Sequence, residues 1–406
     1  MFLKLAWRNM FRNKRRTAIA GFAIGMGLAS LIFVDALVKG MEKNMIESAT
    51  SSFLGEAQIH ETDFRKTQEV EKTIKGLGWV LQDLDNESAV KYYAPRTFSF
   101  GMITSPANVS GVSFVGVDPV KERNLSVIAR SIVEGEFLSG RDERDIVIGK
   151  KLADDLEAGL GDRVVVTVSQ AGTGDLVQEM FRISGIFSTN GDEMEKGMIF
   201  AGIAKARQML GIGPGVHEIA VKFADPEFAQ DANFYFWNKY SRDGNEAVSW
   251  TRLLPDLRAA MDMSNWSIGI VGLILFIIVS LGIINALFMS LYERMFEFGV
   301  LRAVGTRPLG ISKLIMLEAG ALALISIVFG SALGFAVTWI VAKTGIDYTG
   351  IEYAKITFRE LIYPILTPSQ FVIYPFWVLV STMLAGLYPA FYAARMKIVD
   401  SMRKSM

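Results

Sequence analysis

The amino-acid sequence predicts a membrane α-helical protein: four transmembrane helices, with a large α+β extracytoplasmic domain inserted between helices 1 and 2. Three observations predict it. Four stretches stay apolar over the length of about 20 residues needed to cross a hydrocarbon core of about 30 Å. Of 406 residues 51% are hydrophobic and mean hydropathy is +0.31, apolar for so long a chain. Residues 40–267, between the first two stretches, alternate strand-like and helix-like segments with turn signals, the texture of a folded domain.

Composition excludes several classes of function. Lysine plus arginine and aspartate plus glutamate are 42 each, so overall balance points to no nucleic acid and no acidic surface as partner. The absence of cysteine removes disulfides, thiolate metal sites and cysteine nucleophiles. His60 and His217 lie far apart, show no metal-ligand spacing, and read as surface or packing residues.

The first span, 18–38, follows Lys4, Arg8, Arg12, Lys14, Arg15 and Arg16, with no acid among them. Basic residues flanking a span stay in the cytoplasm, which places the amino terminus inside. No small-residue cleavage site follows the run, so it reads as an uncleaved anchor. Gly21 and Gly25 form a GxxxG pair that lets helix backbones approach. Asp35 falls within about a turn of the span's end and is expected to reach the interface, because an acid at the bilayer centre costs about 2.5–3.5 kcal/mol.

Within 40–267, strands are expected at 56–61, 112–118, 162–170, 179–187 and 217–223, and helices at 69–84, 149–160, 203–211 and 226–240. "QAGTGD" (170–175) reads as the turn of a hairpin. No Gly-x-Ser-x-Gly or HExxH motif occurs, and "GKKL" lacks the upstream glycine of a phosphate loop. A domain with no catalytic groups is expected to bind or conduct something.

The second span, 268–291, holds no charge, and Asn285 on its inner half is expected to bond another helix. The third, 314–342, carries Glu318 near its start and a second GxxxG at Gly330 and Gly334. The fourth, 371–393, contains Pro375 and Pro389 and is expected to begin or kink there. Segment 343–370 balances Lys343, Lys355 and Arg359 against Asp347, Glu352 and Glu360, which suits the outer side. The tail, 394–406, supplies Arg395, Lys397, Arg403 and Lys404 and so belongs inside. Trp266, Trp339, Tyr348, Tyr374 and Trp377 fall near span ends, where aromatic belts form. No relay of buried acids crosses the spans, which argues against a proton-driven transporter.

Residues 292–313, between spans two and three, open with "YERMFEFGVLRAVGT". Read as a helix, Tyr292, Met295, Phe296, Gly299, Val300 and Ala303 line one face, and Glu293 and Glu297 share another. Like charges four apart destabilise an isolated helix by about 0.2–0.5 kcal/mol, so the pair makes sense if a cationic surface meets it. Gly305 and Pro308 end the element.

"E-x-G-V-L-R-A-V-G" (297–305) resembles the loop signature of the FtsX/MacB/LolC-LolE permeases, the type VII class of ABC transporters. "AWRNMFRNKRRTAIA" (6–20) is similar to that family's amino-terminal inner helix and entry to span one, and "YPAFYAARMKIVDSMR" (388–403) to its ending, departing at Ile398 where the family usually has proline. The resemblance implies mechanotransmission. Two permease subunits, alike or different, would flank an ABC ATPase dimer that holds ATP and Mg, with no cofactor, metal or catalytic residue in this chain. Residues 292–313 would form the coupling helix loop, contacting the ATPase through Glu293, Glu297, Gly299, Arg302 and Gly305. Residues 1–17 would form a cytoplasmic amphipathic helix, and the outer domain would divide into a Porter-like lobe (40–115 and 201–262) and a Sabre-like insertion (116–200). The protein would lie in a bacterial inner membrane, with both termini cytoplasmic and the large domain periplasmic.

Within the family, "GDRVVVTV" and "AVSWTRLLPDLRAAM" (247–261) resemble the LolC-LolE subunits. MacB-type exporters usually fuse an ATPase ahead of span one, whereas this sequence begins 17 residues before it, and FtsX proteins have a smaller outer domain. The expected function is extraction of lipoproteins from the inner membrane for transfer toward the outer membrane. Acyl chains would enter between spans one and two, beside Asp35, Gly282 and Asn285. The turn at 169–179 is short for a hook that grips a periplasmic lipoprotein chaperone, so direct contact with one stays open. Two alternatives remain: a MacB-like tripartite export permease with a separate ATPase, and an FtsX-like signalling permease controlling a periplasmic hydrolase.

Overall fold

The computed structural model describes residues 14–140, 143–189, 192–348, 352–353, 356–357 and 361–395. The tail beyond Arg395 and all but the last turn of the expected 1–17 helix lie outside these residues. The chain forms two compact units: Met1–Asn44 with Ala260–Thr349 and Glu360–Met406, and Met45–Ala259 with Gly350–Arg359.

The first unit is built from helices α1 (Lys14–Ala49), α2 (Pro255–Glu293), α3 (Met295–Ala303), α4 (Pro308–Thr344) and α5 (Gln370–Arg395). Four of them, α1, α2, α4 and α5, are long and apolar enough to cross a membrane. The expected spans 18–38 and 268–291 are the middles of longer rods, since α1 has 36 residues and α2 has 39. Polar residues extend each helix past its apolar centre, because nothing in the flanking sequence breaks it. α4 starts with Pro308 in its first turn, where a missing N–H costs nothing. α5 begins at Gln370, five residues before Pro375, and continues through both prolines, each buried within it.

The two GxxxG pairs face each other. A side chain added at Gly330 would lie 2.6 Å from the Gly25 carbonyl oxygen and 2.9 Å from its Cα, and Gly334 sits against Ala29 and Ile32. Backbone contact of this kind is what holds helices together where surrounding lipid is as apolar as the side chains. Around the crossing pack Ile24, Leu28, Ile32, Ile283, Leu287, Ala319, Leu322, Val378 and Ala385.

The second unit is centred on a mostly antiparallel sheet of β1 (Ala57–Glu61), β2 (Val90–Thr104), β3 (Val109–Val117), β4 (Ile132–Gly135), β5 (Asp145–Gly149), β6 (Arg163–Ser169), β7 (Leu176–Phe187), β8 (Met198–Gly202), β9 (Glu218–Phe223) and β10 (Asn245–Ser249). Its order is β10-β1-β9-β2-β3-β8-β5-β7-β4, with β6 pairing both β2 and β7. All five expected strands are present. β2, the longest at 15 residues, escapes the alternation test because Tyr93 to Thr97 are buried one after another, on both faces. The other missed strands are only four or five residues long.

The 170–175 turn closes the β6–β7 hairpin, with Gln170 N–H donating to the Asp175 carbonyl at 2.9 Å. The expected helix at 69–84 shrinks to Leu77–Asp85, because Gly76 adopts φ +62° and starts it late. The expected helix at 226–240 divides into a tight turn at Pro226–Ala229 and a helix at Tyr235–Tyr240. Ile103, Val112 and Phe114 of the long β2–β3 hairpin pack with Ile146, Phe181 and Ile199 and with Ala206, Met209 and Leu210 in one core.

Candidate functional site

The short helix α3 is set off from α2 by Arg294, whose φ −111° and ψ 14° leave the helical region. It ends on a Schellman arrangement: Thr306 N–H donates to the Leu301 carbonyl at 2.9 Å and Gly305 N–H to that of Arg302 at 3.1 Å. Gly305 holds φ +102°, which only glycine adopts without strain. The expected stop is therefore built by Gly305, and Pro308 starts the next helix.

One face of α3 is buried: Met295 and Phe298 join Leu291, Ile311, Leu314, Ile315, Ala390 and Ala393, and Gly299 is covered beside them. The opposite side exposes Phe296, Val300 and Leu301, and Val304 is 83% exposed. The stripe expected from periodicity is thus split. Met295 and Gly299 turn inward, while Tyr292, Phe296 and Val300 turn outward, because α3 is apolar on two sides and spacing alone cannot choose between them.

Charges tie this helix down. The buried Arg294 donates from Nη1 to Glu318 Oε1 at 2.6 Å and from Nε to Glu297 Oε2 at 3.1 Å. Burial disfavours its charge, but attraction and hydrogen bonds from Glu318 and Glu297 outweigh that and hold its pKa above the usual value. Glu318, near the start of α4, is buried and paired with Arg294. Glu293 is exposed, Glu297 is half-buried against Arg294, and Arg302 reaches the Ala394 carbonyl at 3.5 Å. Glu297 thus meets the Arg294 cation of its own chain.

Gly282 and Asn285 line a cleft of about 900 Å³ between the start of α1 and the end of α2. Its walls include Ile19, Ala23, Ile24, Val279 and Ala286, and Lys14, Arg15 and Glu293 stand at one end. Asn285 is exposed in this cleft, and no bond from it to another helix occurs among the described residues. Asp35 is elsewhere. It is 7% exposed, accepts from Gln370 Nε2 at 2.6 Å and pairs with Lys39 Nζ at 3.0 Å, which also reaches Thr367 Oγ1 at 3.1 Å. The structure therefore brings Gly282 and Asn285 together and sets Asp35 in a separate cluster tying α1 to the start of α5.

In the second unit the sequence offered no sign of one buried charge cluster. Arg96, fully buried, grips Glu122 with two bonds of 2.7 and 3.0 Å and pairs with Glu218 at 3.1 Å. It also donates to the Phe53 carbonyl at 2.6 Å and stacks 3.7 Å from that ring's centroid. Phe53 lies in the π-helical turn Thr50–Leu54 that follows α1, so the cluster clamps that turn to β2 and β9. Burial raises the Glu218 pKa, against the pull of Arg96.

Both histidines are core residues rather than surface ones. His217 stacks on Phe64 at 5.1 Å, accepts the Phe98 N–H at Nδ1 and places Nε2 2.8 Å from the Val70 carbonyl. That arrangement suits a neutral ring, and burial lowers its pKa. Among the described residues no group of three or more histidines, cysteines or acids is arranged to hold a metal.

Comparison with known proteins follows this division into parts. Residues 269–398 match the model of the FtsX-like permease C-terminal region, and residues 17–235, more than half of the chain, match the MacB-like periplasmic core domain. The lipoprotein-releasing system transmembrane protein LolC of Xylella fastidiosa is 24% identical, over 97% of this chain and 96% of its own. The macrolide export ATP-binding/permease protein MacB of Marinobacter nauticus is 23% identical, over 84% of this chain and 54% of its own. The crystal structure of the periplasmic region of MacB from Actinobacillus actinomycetemcomitans aligns with a TM-score of 0.34 at 12% identity, over 48% of this chain and 89% of that one.

Proposed function

The chain belongs to the family of ABC transporter permeases that join an FtsX-like C-terminal region to a MacB-like periplasmic core, and from that premise we propose that it extracts lipoproteins from the inner membrane for transfer toward the outer membrane. The near full-length similarity to LolC supports this choice of cargo. In this scheme the chain is a multi-pass subunit with both termini in the cytoplasm and the large domain in the periplasm, as the basic residues before α1 and around α3 favour. A second permease subunit, the same or different, sits beside it, and an ABC ATPase dimer carries the ATP and Mg. This chain holds no cofactor and performs no hydrolysis.

The observation that carries the mechanism is α3: a rigid nine-residue lever, stopped by Gly305, with one face buried and the other exposing Phe296, Val300, Leu301 and Val304. Exposed apolar side chains on a polar-edged surface mark a docking site. We assign the ATPase contact to these four, with Glu293 and Gly305 at its edges. Glu297, Gly299 and Arg302 act by seating α3. ATP binding draws the two levers of the complex together, and the long helices carry that motion to the outer domain. Cargo acyl chains enter beside Gly282 and Asn285, where the cleft is apolar and open to a lipid chain.

The test is mass spectrometry of the complex purified with its ATPase. Bound triacyl lipoprotein, lost on ATP addition, is the expected result. Co-purification of a periplasmic adaptor and an outer-membrane duct instead would favour the MacB-like export reading, which the match to MacB supports. ATP cycling with no lipid or cargo would point to an FtsX-like switch acting on a periplasmic hydrolase, and would remove the lipoprotein reading.

A further inference from the structure

The lever's motion needs a route into the long helices, and the covalent connection through α2 is the obvious one. The geometry points to another: we propose that the Arg294–Glu318 pair makes α3 move as one body with α4, and that α4 passes the motion to α1 at the Gly25–Gly330 crossing. This rests on the ABC-permease reading above.

Four observations support it. First, Arg294 leaves helical geometry between α2 and α3, so the two are not one continuous rod. Second, the Arg294 side chain crosses to α4 and meets Glu318 at 2.6 Å, with both residues buried. Buried charge pairs resist separation, because opening one gives up a strong contact that burial keeps water from replacing. Third, Met295 and Phe298 pack against Ile311, Leu314 and Ile315 of α4, and only Val304 to Arg307 separate the two helices. α5 is locked to the same body, with Ser312 Oγ donating to the Ala390 carbonyl at 2.9 Å and Gly386 against Ala319. Fourth, α4 touches α1 backbone to backbone at Gly25 and Gly330, a contact with no movable side chain between the two helices.

The chain has no cysteine, so introduced thiols are its only ones. Spin labels at Ile274→Cys on α2 and Val337→Cys on α4, both exposed, report the distance between these helices in the complete complex with its ATPase. The expected result is a distance that changes between nucleotide-free and ATP-trapped states, with Glu318→Gln cutting that change by more than half while ATP turnover stays within about twofold of the parent. The double variant Arg294→Gln with Glu318→Gln strands no buried charge, and should lose the change equally if Glu318→Gln alone assembles poorly. A full distance change in the double variant, or no change in the parent, overturns the proposal. The readout needs only nucleotide and ATPase, so a different cargo would defeat the lipoprotein reading and leave this one standing.

Discussion

Arg96 shows how a single residue can hold a domain together without advertising it. Its guanidinium satisfies the carboxylates of Glu122 and Glu218 and both the carbonyl and the ring of Phe53, drawn from three separate segments. Glu122 is 26 and Glu218 is 122 residues away in sequence, so no local pattern could predict the cluster. Breaking a buried pair by removing one partner costs about 3–5 kcal/mol, since the other charges stay buried and uncompensated. Arg96→Gln should therefore lower the melting temperature of the outer domain by roughly 6–20 °C, at about 2–4 °C per kcal/mol for 150–250 residues. A shift below about 2 °C by calorimetry would mean that the carboxylates find other partners.

At the scale of elements, close helix contact depends on what is missing. Gly25 and Gly330 meet because neither carries a Cβ, and each motif was visible in sequence as a candidate with no stated partner. Gly330→Leu should force α1 and α4 apart, because its side chain would overlap the Gly25 carbonyl rather than a movable side-chain end. Cargo release should then fall by at least about tenfold with the ATPase still bound, read by release assays alongside co-purification. Normal release in that variant would show that α1 is driven from elsewhere. α3 makes the complementary point. Its length and its stop at Gly305 follow from local chemistry, but its inward face is chosen by Ile311, Leu314 and Ala390, which lie on other helices.

For the whole molecule, the outer domain carries both histidines in its core, and burial lowers the pKa of each. The sign follows directly. The unfolded rings take up protons near pH 6.5 while the folded ones resist, so stability is full above about pH 6.5 and is lost as pH falls below it. Unfolding temperature should drop more between pH 7.5 and 5.5 in the parent than in His217→Phe, since Glu218, its pKa raised by burial, acts alike in both, and equal profiles by calorimetry would contradict the neutral, stacked state of His217. Local sequence alone specifies the four apolar helices, the inserted α+β domain, the short helix between the second and third spans and its glycine stop. These follow from runs, periods and turn residues within about 20 positions of one another, where chain neighbours supply the physics. The tertiary fold settles which side of α3 is covered, that Glu318 pairs with Arg294 and Asp35 with Gln370 and Lys39, and that Asp35 stands apart from Gly282 and Asn285. A charge's partner and a helix's buried face are set by whatever segment packs against them, and that segment can lie anywhere along the chain.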